Sequence, residues 1–412
     1  MLSRAGQSVL SRSAGSLPSA PIAQTPDQCS AVACSPSLPP KGLVTRRPLL
    51  NTATRRFTID CRIAKNCDMD PRKPQQHPAQ AIQTPGAVQS VWGSATMASD
   101  KFAPFGSQKP MNFDGEISLM RHRMGICSHR GQKPDHPNQD DFFALSRSDS
   151  LLLGVLDGHG PDGHDVAHFL QERLPLLVMK GLRREPDAWD RVVGTAIEDL
   201  CNRAKDELDG KAEDSGTTVT MLMLDQQNDA SRDSIEDIRH IRLRCAFLGD
   251  SMAVHARRLG RNGTWQVTNL TRVHKPDRPD EAARIESVGG MVQHEEYGSS
   301  SLMTPQWSLA MSRSFGDFHA VPWGLSSEPE FAQAMLEPQF EHLVLACSDG
   351  VWDVIPPAQA VKFVGKFLPE EAQLAVERLV SKAQIRWQET GDCADDVTAI
   401  LVWPDLDAVG RR

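Results

Sequence analysis

Short apolar runs that end in an aspartate beside a glycine place the strongest constraint on how this sequence can fold. Four runs end at Asp157, Asp250, Asp317 and Asp349, and two acidic pairs, Asp140-Asp141 and Asp395-Asp396, precede apolar runs. One Asp-Gly pair at a strand end is usually a turn, because Asp accepts backbone hydrogen bonds and Gly tolerates a positive φ. Several carboxylates at converging strand ends would instead repel one another unless cations neutralised them. Clustered carboxylate oxygens favour Mg²⁺ or Mn²⁺ over zinc.

Between these aspartates, groups of strand-like runs alternate with helical patterns. Strand-like composition is found at residues 117–126, 142–145, 151–156, 217–224, 243–248, 342–346 and 397–403. Apolar spacing predicts helices over residues 166–174, 189–200 and 372–387, and a shorter helix from about Asp280 to Gly289. Pro175 is expected to end or kink the first helix. Strands grouped in runs predict an α+β fold with antiparallel sheets.

The composition is that of an acidic globular protein. Of the 412 residues, 24% are charged, and the formal net charge is -8, which disfavours nucleic acid as a partner. No apolar run approaches the ~18 residues that cross a bilayer, so we expect no membrane span. The nine cysteines include no Cys-x-x-Cys pair, so we expect free thiols in a reducing compartment.

Residues 1–112 are built differently from the remainder. They are rich in Ser, Pro, Ala, Gln and Arg, with 13 Lys and Arg against 5 Asp up to Lys109. Because they lack sustained apolar periodicity, we expect a disordered, basic, low-complexity extension. Its first residues suit a mitochondrial or plastid transit peptide. The alternatives are an ordinary disordered tail of a cytoplasmic protein, or an extension upstream of a start at Met97.

The aspartate-bearing segments resemble the signature blocks of a known family, the metal-dependent protein phosphatases of the protein phosphatase 2C type. Further blocks match in the order of that family, at residues 215–218, 270–276, 309–318 and 348–354. The block at 270–276 reads Leu-Thr-Arg-Val-His-Lys-Pro, which is similar to the family's Leu-Thr-x-x-His-Lys-Pro segment. The resemblance extends from about residue 117 to residue 403, and so many blocks in one order are not expected by chance.

The resemblance implies a four-layer αββα sandwich over residues 113–407, with two antiparallel sheets and helices outside each. It also implies hydrolysis of phosphoserine and phosphothreonine in phosphoprotein substrates, by a water molecule that two Mg²⁺ or Mn²⁺ ions activate. We expect a monomer. One alternative is a pseudophosphatase that binds phosphoproteins without turnover, which would be expected to lose a metal aspartate. Another is a hydrolase of small phosphate esters on the same fold.

The resemblance further implies a ligand set for the metal ions. The expected ligands are Asp140, Asp157, Gly158, Asp317, Asp349 and Asp395, with Asp250 as a candidate ligand of a third ion. Asp157 is expected to bridge the two ions, because its carboxylate has two oxygens. Gly158 would contribute its carbonyl oxygen, and Asp140 would act through water. Gln139 stands where many relatives have Glu, which lowers the direct charge there.

His159 is expected to act with Asp157 in catalysis, as the acid that protonates the leaving alkoxide, because imidazole titrates near the operating pH. The alternative is a structural His bonded to a neighbouring carboxylate. Lys133 is expected to bind the substrate phosphate, as a point charge without the bidentate fork of the Arg that relatives often use. Arg130 is the rival for this contact, and a solvated surface Lys is the alternative for Lys133.

Overall fold

The computed structural model describes residues 89–114, 119, 122–227, 240–294 and 299–405. The strands are β1 (Gln89–Gly93), β2 (Met111–Asp114), β3 (Met124–His129), β4 (Asp141–Ser146), β5 (Ser150–Leu156), β6 (Gly158–His159), β7 (Gly216–Thr217), β8 (Val219–Gln227), β9 (His240–Leu248), β10 (Met252–Arg258), β11 (Gln266–Asn269), β12 (Met291–His294), β13 (Ser300–Met303), β14 (Ser308–Leu309), β15 (Phe315–Gly316), β16 (Glu330–Leu336), β17 (Glu341–Cys347) and β18 (Val397–Val402). The α-helices are α1 (Gly163–Arg184), α2 (Trp189–Glu207), α3 (Pro279–Ser287), α4 (Asp349–Trp352), α5 (Pro357–Val364) and α6 (Ala372–Thr390).

Two large antiparallel sheets form the centre of the fold. The first has the order β16-β9-β8-β5-β4-β1-β2, and the second has the order β11-β10-β17-β18-β3. Two small sheets, β12-β13-β14 and β15-β7-β6, complete the strand pairing. The α3 helix, β12 to β14 and the turn near Leu325 share a separate small core, which we call the flap.

Alternate residues of the large sheets face different layers, as the two-residue period of a strand requires. Phe142 of β4 and Ile400 of β18 lie in the core between the two sheets. Phe143 faces α1 and α2 on one outer side, and Leu401 faces α5 and α6 on the other. The predicted α+β sandwich of four layers is therefore confirmed.

The helices follow the predicted pattern with one exception. The short helix expected from about Asp280 is α3. Pro175 lies inside α1 and does not end it, so the prediction that the helix ends at this proline is wrong. Leu174 and Val178, which flank it, are fully buried. Burial of such side chains contributes roughly 1.5–3 kcal/mol each, which offsets the backbone hydrogen bond that proline cannot make.

The amino-terminal boundary of the folded domain lies before residue 113. β1 pairs with β4 on one side and with β2 on the other, so the expectation of an extension up to residue 112 is wrong for residues 89–112. Val91 and Trp92 are buried in the cores on the two faces of the sheet. Their strand is too short to give periodicity within a polar stretch. Residues 1–88, with the predicted disorder and transit peptide, lie outside the described residues.

Two expectations from composition can be compared with the described part of the chain. None of its helices combines the length and apolarity needed to span a bilayer. The described cysteines are free thiols, at Cys127, Cys201, Cys245, Cys347 and Cys393.

A chain that begins at residue 98 is expected to be less stable than one that begins at residue 86, because it lacks β1. Removing the buried side chains of Val91 and Trp92 should lower the free energy of unfolding by at least about 3 kcal/mol. Urea denaturation followed by circular dichroism measures the difference. Equal unfolding midpoints for the two chains would contradict this role of β1.

Candidate metal centre

Asp140 and Asp157 meet because they lie at the same end of two paired strands. Asp140 immediately precedes β4 and Asp157 immediately follows β5. The two strands are antiparallel, with Asp141 opposite Leu156, so the two aspartates are neighbours across the pair. The buried Nζ of Lys109 donates to the backbone oxygen of Asp140 at 2.6 Å. The segment before β2 therefore helps to hold this strand end.

The second sheet contributes two more aspartates to the same edge of the sandwich. Asp349 opens α4 two residues after the end of β17, and Asp395 lies two residues before β18. These strands are also antiparallel, with Cys347 opposite Ala399. The end of β17 and the beginning of β18 therefore lie side by side, and Asp349 and Asp395 lie at this same end of the strand pair.

The pKa values of these carboxyls show that they share one largely buried pocket. Burial, followed by the charges of Asp349 and Asp140, raises the pKa of Asp157 well above its usual value. Burial and the charge of Asp395 have the same effect on the pKa of Asp349. Burial and the charge of Asp396 raise the pKa of Asp140 to about 7. The pocket is therefore short of positive charge.

Three carboxylate oxygens of this pocket are buried without a hydrogen-bond partner among the described residues. They are the Oδ1 atoms of Asp140, Asp250 and Asp349. A buried acceptor left unpaired costs about 1–3 kcal/mol. Hard divalent cations bind carboxylate and carbonyl oxygens, so the donor set fits Mg²⁺ or Mn²⁺.

Gly158 allows two other backbone segments to pack closely beside Asp157. A Cβ at Gly158 would lie 2.5 Å from the carbonyl oxygen of Gly163 and 2.6 Å from that of Gln139. The side chain of Gln139 donates to the carbonyl oxygen of Gly160 at 2.7 Å. Only glycine fits at position 158, between these two carbonyl oxygens, and the Gln139 side chain holds the loop that contains Gly160.

Two groups to which the sequence assigned no role hold the cluster in place. The carboxylate of Asp396 accepts from the backbone nitrogens of Gly131 at 2.6 Å and Gln139 at 2.8 Å. Ser348 Oγ donates to Asp140 Oδ2 at 2.8 Å. Asp396 stands in a recognised acidic pair, but the sequence does not distinguish the member that faces the pocket from the member that anchors the loop.

His159 and Asp317 form a pair beside the cluster. β6 pairs with β7 and β7 pairs with β15, which brings both residues against Gly216. His159 Nε2 lies 2.7 Å from Asp317 Oδ2, and Ser314 Oγ donates to the same oxygen at 2.5 Å. A Cβ at Gly216 would lie 2.1 Å from that oxygen, so this position requires glycine.

The His159–Asp317 pair favours a protonated imidazole. Burial alone would lower the pKa of His159, but the adjacent Asp317 carboxylate outweighs it and raises the pKa. Asp317 has a left-handed backbone conformation, with φ of 48°, which is costly for a residue other than glycine and is often found at functional sites.

The two candidate phosphate ligands have different surroundings. The guanidinium of Arg130 donates to four backbone carbonyl oxygens at 2.8–3.1 Å, so it fixes the loop around it. Lys133 Nζ lies 2.5 Å from Asp395 Oδ1, with about a third of the Lys133 side chain exposed. Burial would lower the pKa of Lys133, but Asp395, Asp396 and Asp157 outweigh it and raise the pKa. Of these two side chains, Lys133 is thus the one whose charge borders the pocket.

Asp250, the candidate for a third ion, is paired with a lysine. Lys275 Nζ lies 2.6 Å from Asp250 Oδ2. Burial would lower the pKa of Lys275, but Asp250, Asp349 and Asp353 raise it. Asp353 was not singled out from the sequence, although its four-residue spacing from Asp349 is that of one helical turn.

A second set of carboxylates lies in and beside the flap. Oxygens of Asp280, Glu281 and Glu330 lie within 4.8 Å of one another. Arg278 contacts all three, and Arg313 Nη2 lies 2.6 Å from Glu281 Oε1. Because arginines already neutralise these groups, the set is less suited to a metal than the strand-end cluster.

Without bound metal, the stability of the protein is expected to fall as pH rises. The pKa of Asp140 is about 7 in the folded state against a usual value of 3.8, so the folded state binds the proton more tightly than the unfolded state. Between about pH 4 and pH 7 this group therefore lowers the free energy of unfolding, by on the order of a few kcal/mol.

Urea denaturation in excess chelator at pH 5 and pH 7 measures this effect. Asp140→Asn should reduce the loss, and saturating Mn²⁺ should reverse it in the unsubstituted protein. The same pH dependence in both proteins would show that the Asp140 carboxyl is not the source.

Comparisons with known proteins identify the family of this chain. Residues 120–390 match the family model of protein phosphatase 2C. The rice (Oryza sativa subsp. japonica) "Probable protein phosphatase 2C 48" is 31% identical over 312 residues, which are 68% of this chain and 82% of that protein. "Probable protein phosphatase 2C 72" of Arabidopsis thaliana is 30% identical over 312 residues, which are 71% of this chain and 88% of that protein.

Solved structures share the fold. The serine-threonine phosphatase 2C from Toxoplasma gondii has a TM-score of 0.55 at 20% identity, over 68% of this chain and 94% of that chain. A C. elegans sex determining protein has a TM-score of 0.53 at 23% identity, over 69% of this chain and 66% of that chain. This chain therefore belongs to the protein phosphatase 2C family, a family of metal-dependent phosphatases.

Proposed function

We propose that this chain is a Mg²⁺- or Mn²⁺-dependent protein phosphatase that hydrolyses phosphoserine and phosphothreonine. The observation that supports this best is the convergence of aspartates from both sheets, with carboxyl pKa values raised by burial and by their mutual repulsion. Buried carboxylate oxygens without partners among the described residues add to this support. Family membership supports the reaction class and phosphoproteins as substrates.

The residues that would hold two cations are the strand-end aspartates. Asp157, Asp349 and Asp395, with the carbonyl oxygen of Gly158, are the proposed ligands, and Asp140 would act through water. Bound divalent cations would neutralise these carboxylates and lower the pKa of the water that attacks phosphorus. We assign Asp250 to a third, weaker ion.

The remaining groups act on the substrate. Lys133 would bind the phosphate, since its ammonium borders the pocket. His159 would hold a proton on Nδ1, because Nε2 is committed to Asp317. As the bond from phosphorus to the serine or threonine oxygen breaks, that oxygen keeps the electron pair and takes this proton. We therefore assign Asp317 to fixing the imidazole ring rather than to a metal ion.

We assign this activity to residues 89–405, and no described residue favours the pseudophosphatase alternative. Asp157, Asp349 and Asp395, which such a protein would be expected to lose in part, are all present at the same edge of the sandwich.

Replacing the proposed bridging ligand should remove activity without unfolding the protein. Asp157→Asn is expected to lower kcat/KM for a phosphoserine peptide by about two orders of magnitude or more, because cations would lose a shared carboxylate. Asp199→Asn, on the exposed side of α2, is the matched control. Phosphate release with Mn²⁺, and calorimetric Mn²⁺ binding, measure both variants. Near-normal turnover by Asp157→Asn, or by the unsubstituted protein in excess chelator, would refute the proposal.

Lys133 and Arg130 should give different phenotypes. Lys133→Met is expected to raise KM for a phosphopeptide by about tenfold or more with little change in unfolding midpoint, because it removes a phosphate charge. Arg130→Met should lower the free energy of unfolding by about 3 kcal/mol or more, because four backbone carbonyl oxygens lose a charged donor. Steady-state kinetics and urea denaturation separate the two. A stable Arg130→Met protein with a raised KM would reverse the assignment.

A further inference from the structure

Glu281, in α3 of the flap, is a buried carboxylate at the centre of a hydrogen-bonded hub. Its residue is 1% exposed. It accepts from Ser312 Oγ at 2.6 Å, from Arg313 Nη2 at 2.6 Å and from Arg284 Nη2 at 2.7 Å. Burial would raise its pKa, but the hydrogen bonds from Arg313, Ser312 and Arg284 hold it well below its usual range. Glu281 is therefore a fixed negative charge to which residues 312 and 313 are tied.

The tied segment leads directly to the proposed proton donor. Ser314 follows Arg313 in the chain, is fully buried, and donates to Asp317 Oδ2. The same oxygen lies 2.7 Å from His159 Nε2. Between them, β15 is held by its pairing with β7. Residues 312–317 thus connect the hub to the carboxylate that orients the imidazole.

The segment is also held from its other side. Arg284 Nη2 donates to the backbone oxygen of Ser312 at 3.0 Å, and the Ser312 nitrogen donates to the backbone oxygen of His274 at 2.8 Å. Ser327 Oγ donates to the backbone oxygen of Ser314 at 2.8 Å. Together with the hydrogen bonds to Glu281, these contacts fix the position from which Ser314 reaches Asp317.

We propose that Glu281 is a positioning residue for proton donation, which acts through residues 312–314 on the His159–Asp317 pair although it lies in the flap. This inference rests on the proposed function, because it requires His159 to protonate the leaving oxygen. It predicts that neutralising Glu281 harms reactions that need this proton more than reactions that do not.

The test compares Glu281→Gln on two substrates with Mn²⁺ at saturation. A phosphoserine peptide has a poor leaving group that needs the proton, whereas p-nitrophenyl phosphate has a good one. We expect kcat on the peptide to fall by about 10-fold or more, within the range of general acid catalysis, and kcat on p-nitrophenyl phosphate to change less than about twofold. Asp280→Asn, the exposed neighbour on the same helix, should change neither. Equal losses on both substrates would overturn the inference.

Three further measurements keep the result decisive. His159→Asn should show the same substrate split, and Glu281→Gln added to it should cause no further loss on the peptide. A split with His159→Asn but none with Glu281→Gln, or additive losses, would overturn the inference and leave the proposed function standing. No split with His159→Asn would overturn the proton-donor role and the inference together. Ser312→Ala, which removes one contact of the hub, repeats the test if Glu281→Gln does not fold, and equal losses on both substrates would then count against the inference.

Discussion

Repulsion among carboxylates that the fold forces together is the constraint on which the rest of this structure depends. Asp140 and Asp157 come from one sheet and Asp349 from the other, and the fold raises the pKa of all three. The chain offsets part of this repulsion with its own ammonium groups, from Lys133 and Lys275. The remaining deficit of positive charge is what bound divalent cations would neutralise. The same side chains that make the pocket costly to fold are thus the ones that make it chemically useful.

In the flap, a buried carboxyl group has a lowered pKa instead of a raised one. Glu281 is as buried as Asp140, yet its pKa is held low because arginine and serine donors surround it. Asp317 has one serine and one histidine as hydrogen-bond partners. Burial by itself therefore does not decide what a carboxyl does in this protein. The decisive difference is whether the neighbours are donors or other carboxylates.

Much of this could be predicted from the sequence, because strand-end aspartates and the period of apolar residues are local features. The antiparallel α+β class and α3 follow from such patterns, whereas the four layers and the meeting of Asp157 with Asp349 were implied by the family resemblance. The hydrogen-bond and ion-pair partners of the side chains do not follow from local patterns. No local sequence pattern shows that Arg130 donates to backbone carbonyl oxygens or that Asp317 contacts His159, because these contacts include partners that are distant in the chain. β1 was missed for a related reason, since its contribution depends on two buried side chains in a polar stretch.

The division of the pocket between two sheets has a consequence for the whole sandwich. The sheets are joined through a layer of apolar side chains, including Phe142 and Ile400, and their facing edges share the acidic pocket. A cation bound there would link the two sheets, and its affinity would depend on the distance between them. The volume of the apolar side chains between the sheets sets that distance. Substitutions in this core, remote from the pocket, would then change the affinity of the pocket for the ion.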